Sequence, residues 1–168
     1  MNLWDYKVMA IDFDGLHAFH GHRCPMSTMG ARLGAAAMSA LGVTKADQFR
    51  IEALFHSKNC ALDGIQFVTG CTFGNGNIAY EESGRASLTL RKRDGTRSTT
   101  VSVSDAALTR LSGHKELKAR LLEEKEVSGL PRAMEIDREI SKDFDLLVQW
   151  VQDAPEDELL AFSGGTVE

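Results

Sequence analysis

The chain has 168 residues, enough for one domain with a real core, and its 43% hydrophobic and 26% charged content is that of an ordinary globular protein. Its net charge of −5, from 19 basic against 24 acidic residues, argues against a nucleic-acid partner, which wants a basic surface. No apolar stretch approaches ~18 residues, and Met1-Asn2-Leu3-Trp4-Asp5-Tyr6 lacks a basic region followed by an apolar run, so neither a membrane span nor a secretory signal is expected and the expected compartment is the cytoplasm.

Residues 5–18 mix apolar and acidic positions and predict a short helix that ends before a histidine-rich segment. That segment, Phe19-His20-Gly21-His22-Arg23-Cys24-Pro25, holds two imidazoles and a thiol within five residues. In extended backbone, side chains at i, i+2 and i+4 point the same way, so His20, His22 and Cys24 would converge on one face. Imidazole nitrogen and thiolate sulfur are ligands for zinc and other borderline-soft divalent metals. The plain alternative is a loop of solvated histidines beside a buried cysteine. His17 is either a fourth ligand, a partner of the ligands, or merely exposed at a helix end.

Pro25 suits the first turn of a helix, where a missing N–H costs nothing. The helix runs roughly Pro25 to Leu41, with Gly42 as its C-terminal cap. It is rich in small residues (Gly30, Ala31, Gly34, Ala35, Ala36, Ala37), which lets another backbone approach closely and predicts central burial or a subunit interface. Arg50 to His56 reads as a buried strand. Asn59 is a reasonable N-cap, so Cys60 would sit in the first turn of the next helix. There the helix dipole would lower its pKa and favour thiolate. Asp63, at i+3 from Cys60, shares its helix face and could orient an imidazole, complete coordination or act as a base. The alternative is a buried structural cysteine with an aspartate that complements the dipole. Gln66 lies one turn further on.

Thr69 to Asn77 is a glycine-rich loop, Gly70-Cys71-Thr72-Phe73-Gly74-Asn75-Gly76-Asn77. It is not a Walker loop, because no Gly-Lys-Ser/Thr ends it, and a tight helix-to-strand connection is the preferred reading. Cys71 could approach the site of Cys60 or pack beneath it. Strands are expected at about Ile78–Glu81, Arg85–Arg93 and Arg97–Val103, with a hairpin at Asp94-Gly95. From Ser104 onward the chain reads helical, with breaks near Gly113, Gly129–Pro131 and Pro155. His56 and His114 read as surface or core histidines. All three cysteines and four of the five histidines precede residue 72, which places the chemistry in the first half. The expected fold class is α+β, an antiparallel sheet packed with helices, as a single domain over residues 1–168 that includes the helices of about 104–162.

Taken together, Phe19-His20-Gly21-His22-x-Cys24-Pro25 and Cys60-x-x-Asp63-x-Ile65-Gln66-x-x-x-Gly70-Cys71-Thr72-x-Gly74-x-Gly76-Asn77 resemble the two motifs of the FmdE-like family of formylmethanofuran dehydrogenase proteins, at a similar separation. Gly84 to Leu90 resembles the strand that follows the family's glycine loop, and Ala154-Pro155-Glu156-Asp157-Glu158-Leu159-Leu160 resembles its closing segment. Two departures stand out. Met26 replaces the glycine that usually follows Cys-Pro, and no cysteine follows Cys71, so the C-terminal zinc finger of some members has no counterpart here.

The resemblance implies an α+β core, a homodimer and a metal-binding active site linked to a molybdenum- or tungsten-dependent enzyme of one-carbon metabolism. The expected ligands of a divalent metal, zinc first, are His20, His22, Cys24 and Cys60. Asp63 is expected as base or orienting group, and Cys71 as reserve ligand or redox partner of Cys60. The competing expectations are an accessory protein that handles metal or cofactor for a partner oxidoreductase, and a purely structural metal domain.

Overall fold

The computed structural model describes residues 10–163. In chain order the elements are α1 (Phe13–His20), α2 (Pro25–Leu41), a 3-10 turn (Lys45–Arg50), β1 (Ile51–Phe55), α3 (Ala61–Thr69), β2 (Ile78–Tyr80), β3 (Ser87–Lys92), β4 (Ser98–Val103), α4 (Asp105–Val127), α5 (Leu130–Asp153), α6 (Glu156–Leu159) and β5 (Leu160–Ser163). The sheet order is β2-β1-β3-β4-β5. β1 and β2 run parallel, because helix α3 carries the chain back between them. The other neighbours are antiparallel. The class is therefore α+β with a mostly antiparallel sheet, as expected.

Strand alternation decides which side faces the helices. Ile51, Ala53, Phe55, Leu88, Leu90, Val101 and Val103 are buried on one face, while Glu52, Leu54, Thr89, Arg91 and Thr100 point the other way. Helix α2 lies across β3 and β4 on the apolar side and packs most heavily on α3. One cluster of buried apolar side chains runs from Leu16 to Leu160.

The short helix α1 starts later than expected and does not stop before the histidines. Asp12 caps it through Gly15 N, 2.9 Å away, and it runs through His17 to His20. The part of that expectation before residue 10 lies outside the described residues. Helix α2 starts on Pro25 and ends at the left-handed Gly42, as its sequence predicts. Gly113 breaks nothing, and α4 continues through it to Val127. A lone exposed glycine costs a helix only about 1 kcal/mol, less than 23 residues of continuous helix return. Strand β5 has no counterpart in the sequence reading. No described helix is long and apolar enough to cross a membrane.

Candidate metal centre

Two helix starts and one helix end meet to form the site. His20 is the last residue of α1. Gly21 follows in the left-handed region at φ 90°, and its N–H bonds His17 O at 2.9 Å. A side chain at that φ would be strained, so glycine is what lets the chain turn back on itself here. Cys24 is extended at φ −144°, ψ 126°, as a residue before proline prefers. Its carbonyl accepts from Thr28 N, Ser27 Oγ and Thr28 Oγ1, which holds the cysteine at the start of α2.

The ligand atoms of His20, His22 and Cys24 lie within 4.8 Å of one another. The His20 and His22 rings are 4.5 Å apart. The expected convergence is therefore present, but its cause is a helix end plus a left-handed turn rather than an extended ribbon. Donor atoms around one tetrahedral zinc lie roughly 3.3–3.8 Å apart, so the group needs to close by about an ångström around an ion.

Helix α3 supplies the second half. Asn59 makes the expected capping bond, its Oδ1 accepting from Ala61 N at 2.9 Å. Cys60 itself occupies the cap position ahead of the first turn. Its thiol hydrogen-bonds that of Cys24, and partial desolvation, the Cys24 thiol and the Asp63 carboxylate push its pKa up. The dipole-lowered thiolate expected from the sequence is thus not what these neighbours produce. Asp63 Oδ2 sits 2.7 Å from His20 Nδ1. The His20 side chain is only 8% exposed, and its other nitrogen, Nε2, is buried with no hydrogen-bond partner. A carboxylate on Nδ1 holds the proton there and turns the lone pair of Nε2 outward, which is how histidines that bind metals are oriented. A buried lone pair with no donor is what an absent cation would leave, so the residues present fit a metal ion.

The remaining expected residues fall outside this group. Cys71 is completely buried in the apolar core. Burial pushes its thiol up, and the charged groups it senses are Arg93 and Glu52, on the strand side. Gln66 Oε1 accepts from Phe73 N at 3.1 Å and pins the glycine loop. Asn75 Oδ1 accepts from Thr72 N and Asn77 N, so the loop's amides are consumed internally and it is the tight connection that was preferred. His17 Nε2 accepts from Gln152 Nε2 at 3.0 Å, and its Nδ1 is buried and unpartnered. Burial first, then Arg23, lowers its pKa. Arg23 reaches across to Asp145 on α5 at 3.1 Å.

This arrangement can be set beside known proteins. Residues 19–161 match the family described as FmdE, molybdenum formylmethanofuran dehydrogenase operon. The chain belongs to the FmdE family. The matched span opens on Phe19 at the end of α1 and closes in β5, so it holds every residue of the centre from His20 to Asp63. A solved FmdE-like protein of tungsten formylmethanofuran dehydrogenase, from Syntrophus aciditrophicus, shares the fold. It superposes with a TM-score of 0.58 over 96% of this chain and 76% of its own, at 17% identity. A probable S-adenosyl-L-methionine-binding protein of Archaeoglobus fulgidus is 38% identical over 79 residues, which are 45% of this chain but only 22% of that protein.

Proposed function

We propose that this FmdE-family chain binds one divalent metal ion per subunit, zinc first, through His20, His22 and Cys24, with Cys60 beside Cys24 as the fourth donor or the neighbour of an open position. The observation that carries the reading is the buried, unpartnered Nε2 of His20, held in place by Asp63 on the opposite nitrogen. Asp63 then acts as the orienting group. A bound zinc would supply a Lewis acid in a shallow, accessible place. The chain's own contribution is to hold two imidazoles and a thiol on short, capped elements.

His22 and Cys60 are exposed. That exposure favours a centre that meets a substrate or exchanges its metal over a closed structural one. The family's description supports a place beside a molybdenum or tungsten oxidoreductase of one-carbon metabolism, as one of its subunits or as an accessory that handles metal or cofactor, and we include a homodimer in the proposal. The stretch shared with the archaeal relative is too small a part of that protein to transfer its ligand. Cys71 takes a packing role in this proposal.

The test is metal content. Purified chain should hold close to one metal per subunit by elemental analysis, and Cys24→Ser should lose most of it while its circular dichroism stays that of the parent. Full stoichiometry in Cys24→Ser removes Cys24 from the ligand set. Unfolding on chelation would instead identify a structural site. Affinity capture that retrieves a large molybdo- or tungsto-enzyme favours the accessory or subunit role, and substrate turnover by the chain alone favours an independent enzyme.

A further inference from the structure

The sheet face turned away from the helices carries a second set of reactive groups joined by hydrogen bonds. His56 follows β1 directly. Its Nδ1 lies 2.5 Å from Glu81 Oε1, and its Nε2 lies 2.9 Å from Thr89 Oγ1. Thr89 Oγ1 is in turn 2.9 Å from Thr100 Oγ1. The backbone fixes all four. Thr89 and Thr100 are direct partners in the β3–β4 ladder. His56 N donates to Ser87 O, and Glu81 N donates to Phe55 O. The His56 side chain is 18% exposed and Glu81 is 53% exposed, so the imidazole is sheltered while its acid faces water. A cavity of about 600 Å³ opens over the group, lined also by Arg85, Ser87, Ser102 and Leu108.

The bond directions follow from the chemistry. A carboxylate at Nδ1 keeps the proton there, so Nε2 is the acceptor and the Thr89 hydroxyl donates to it. Thr89 oxygen then accepts from Thr100. An acid that orients an imidazole, which in turn holds a hydroxyl at the floor of a cavity, is the arrangement that activates an oxygen nucleophile. A strand-end histidine satisfied by chance needs one partner. This one has both nitrogens engaged, by groups from two other segments.

We propose that Glu81, His56 and Thr89 form a second, metal-independent site at which the Thr89 hydroxyl accepts the acyl group of a small carboxylic ester. Thr89 Oγ1 bonds to the ester carbon as its proton passes to His56 Nε2. The bond from that carbon to the alcohol oxygen breaks, and the departing oxygen takes the proton from His56. Water, deprotonated by the same nitrogen, then cleaves the threonine ester and releases the acid. Thr89 and His56 are the catalytic residues, and Glu81 positions the imidazole.

A fluorophosphonate probe tests this on the full chain, because it forms an Oγ–P bond as the P–F bond breaks and fluoride leaves. One adduct per chain is expected, on Thr89 by peptide mass spectrometry. Thr89→Ala should carry no adduct, and Thr89→Ser should keep it. His56→Ala should react at least tenfold more slowly. Glu81→Gln should lower the rate at saturating probe without changing the half-saturating concentration, which a merely structural role would not do. Cys24→Ser should label at the parent rate, so a failed metal assignment leaves this result standing. Adduct on another residue, equal labelling of Thr89→Ala, or no labelling of either the folded parent or Thr89→Ser overturns the proposal.

Discussion

His20 is placed between two different demands. Its Nδ1 is tied to Asp63 Oδ2 at 2.7 Å, and its Nε2 is buried and unsatisfied. An uncompensated buried polar atom costs about 1–3 kcal/mol, and an ion at that nitrogen would remove the cost. Asp63→Asn keeps the shape but takes away the charge that fixes the tautomer. Its metal affinity is expected to fall 10–100-fold, as read by competition against a chromogenic chelator, with the fold unchanged by circular dichroism. Equal affinity in Asp63→Asn would mean that the pair is only a surface salt bridge. Most of this centre could be read from residue types and spacing, including the alternatives for Asp63. The turn geometry could not, because the αL conformation of Gly21 depends on α1 running on to His20. Nor could the Cys60 titration, since Cys24 is 36 positions away in sequence and touches it only once the helices have packed.

That packing is set by two glycines. A Cβ on Gly30 would lie 2.0 Å from Ala61 O, and one on Gly64 would lie 1.9 Å from Ser27 O. Helices α2 and α3 therefore cross backbone to backbone. The crossing fixes the distance between their starts, where Cys24 and the Cys60–Asp63 pair reside. Gly64→Ala has no flexible side chain to displace and must push the helices apart. Overpacking of this kind costs about 1–3 kcal/mol. Urea denaturation should show the loss, and metal stoichiometry should fall with it, because Asp63 moves away from His20. A variant with unchanged stability and full metal content would show that the crossing does not set the site. The run of small residues in α2 signals a close approach without saying to what, and its partner proves to be α3 of the same chain. Strand β5 was harder to read. Leu160–Ser163 is four residues long directly after a helix, and it is a strand because β4 offers it an edge, which no local pattern reports.

The N-terminal half, which holds the proposed metal centre, and the long helices that follow are joined by few polar contacts, and Arg32 dominates them. From the middle of α2 its Nη1 donates to Gln152 O at 2.6 Å and Val151 O at 3.3 Å, and its Nη2 donates to Ala154 O at 2.8 Å. These are the orphan carbonyls at the end of α5, which a guanidinium satisfies while complementing the negative end of the helix. Burial lowers the pKa of Arg32, but from a starting value of 12.5, so the charge stays on. Gln152 carries the connection on to His17, and Asp145 to Arg23. The end of α5 is thus braced against the segment that bears His20 and His22. Arg32→Met preserves the stem that packs on α5 and removes every donor. Leaving those carbonyls unsatisfied should cost about 2–3 kcal/mol, which for a chain of this size lowers the thermal midpoint by roughly 5–10 °C. The metal centre is built by α1, α2 and α3, so at 25 °C the variant should still bind close to one metal per subunit. Calorimetry and elemental analysis on the same sample separate the two effects. A midpoint within a degree of the parent would mean that α5 is held by its apolar face alone, through Leu147, Val148 and Val151. Metal lost in step with stability would mean that the helical half is part of the centre rather than its brace.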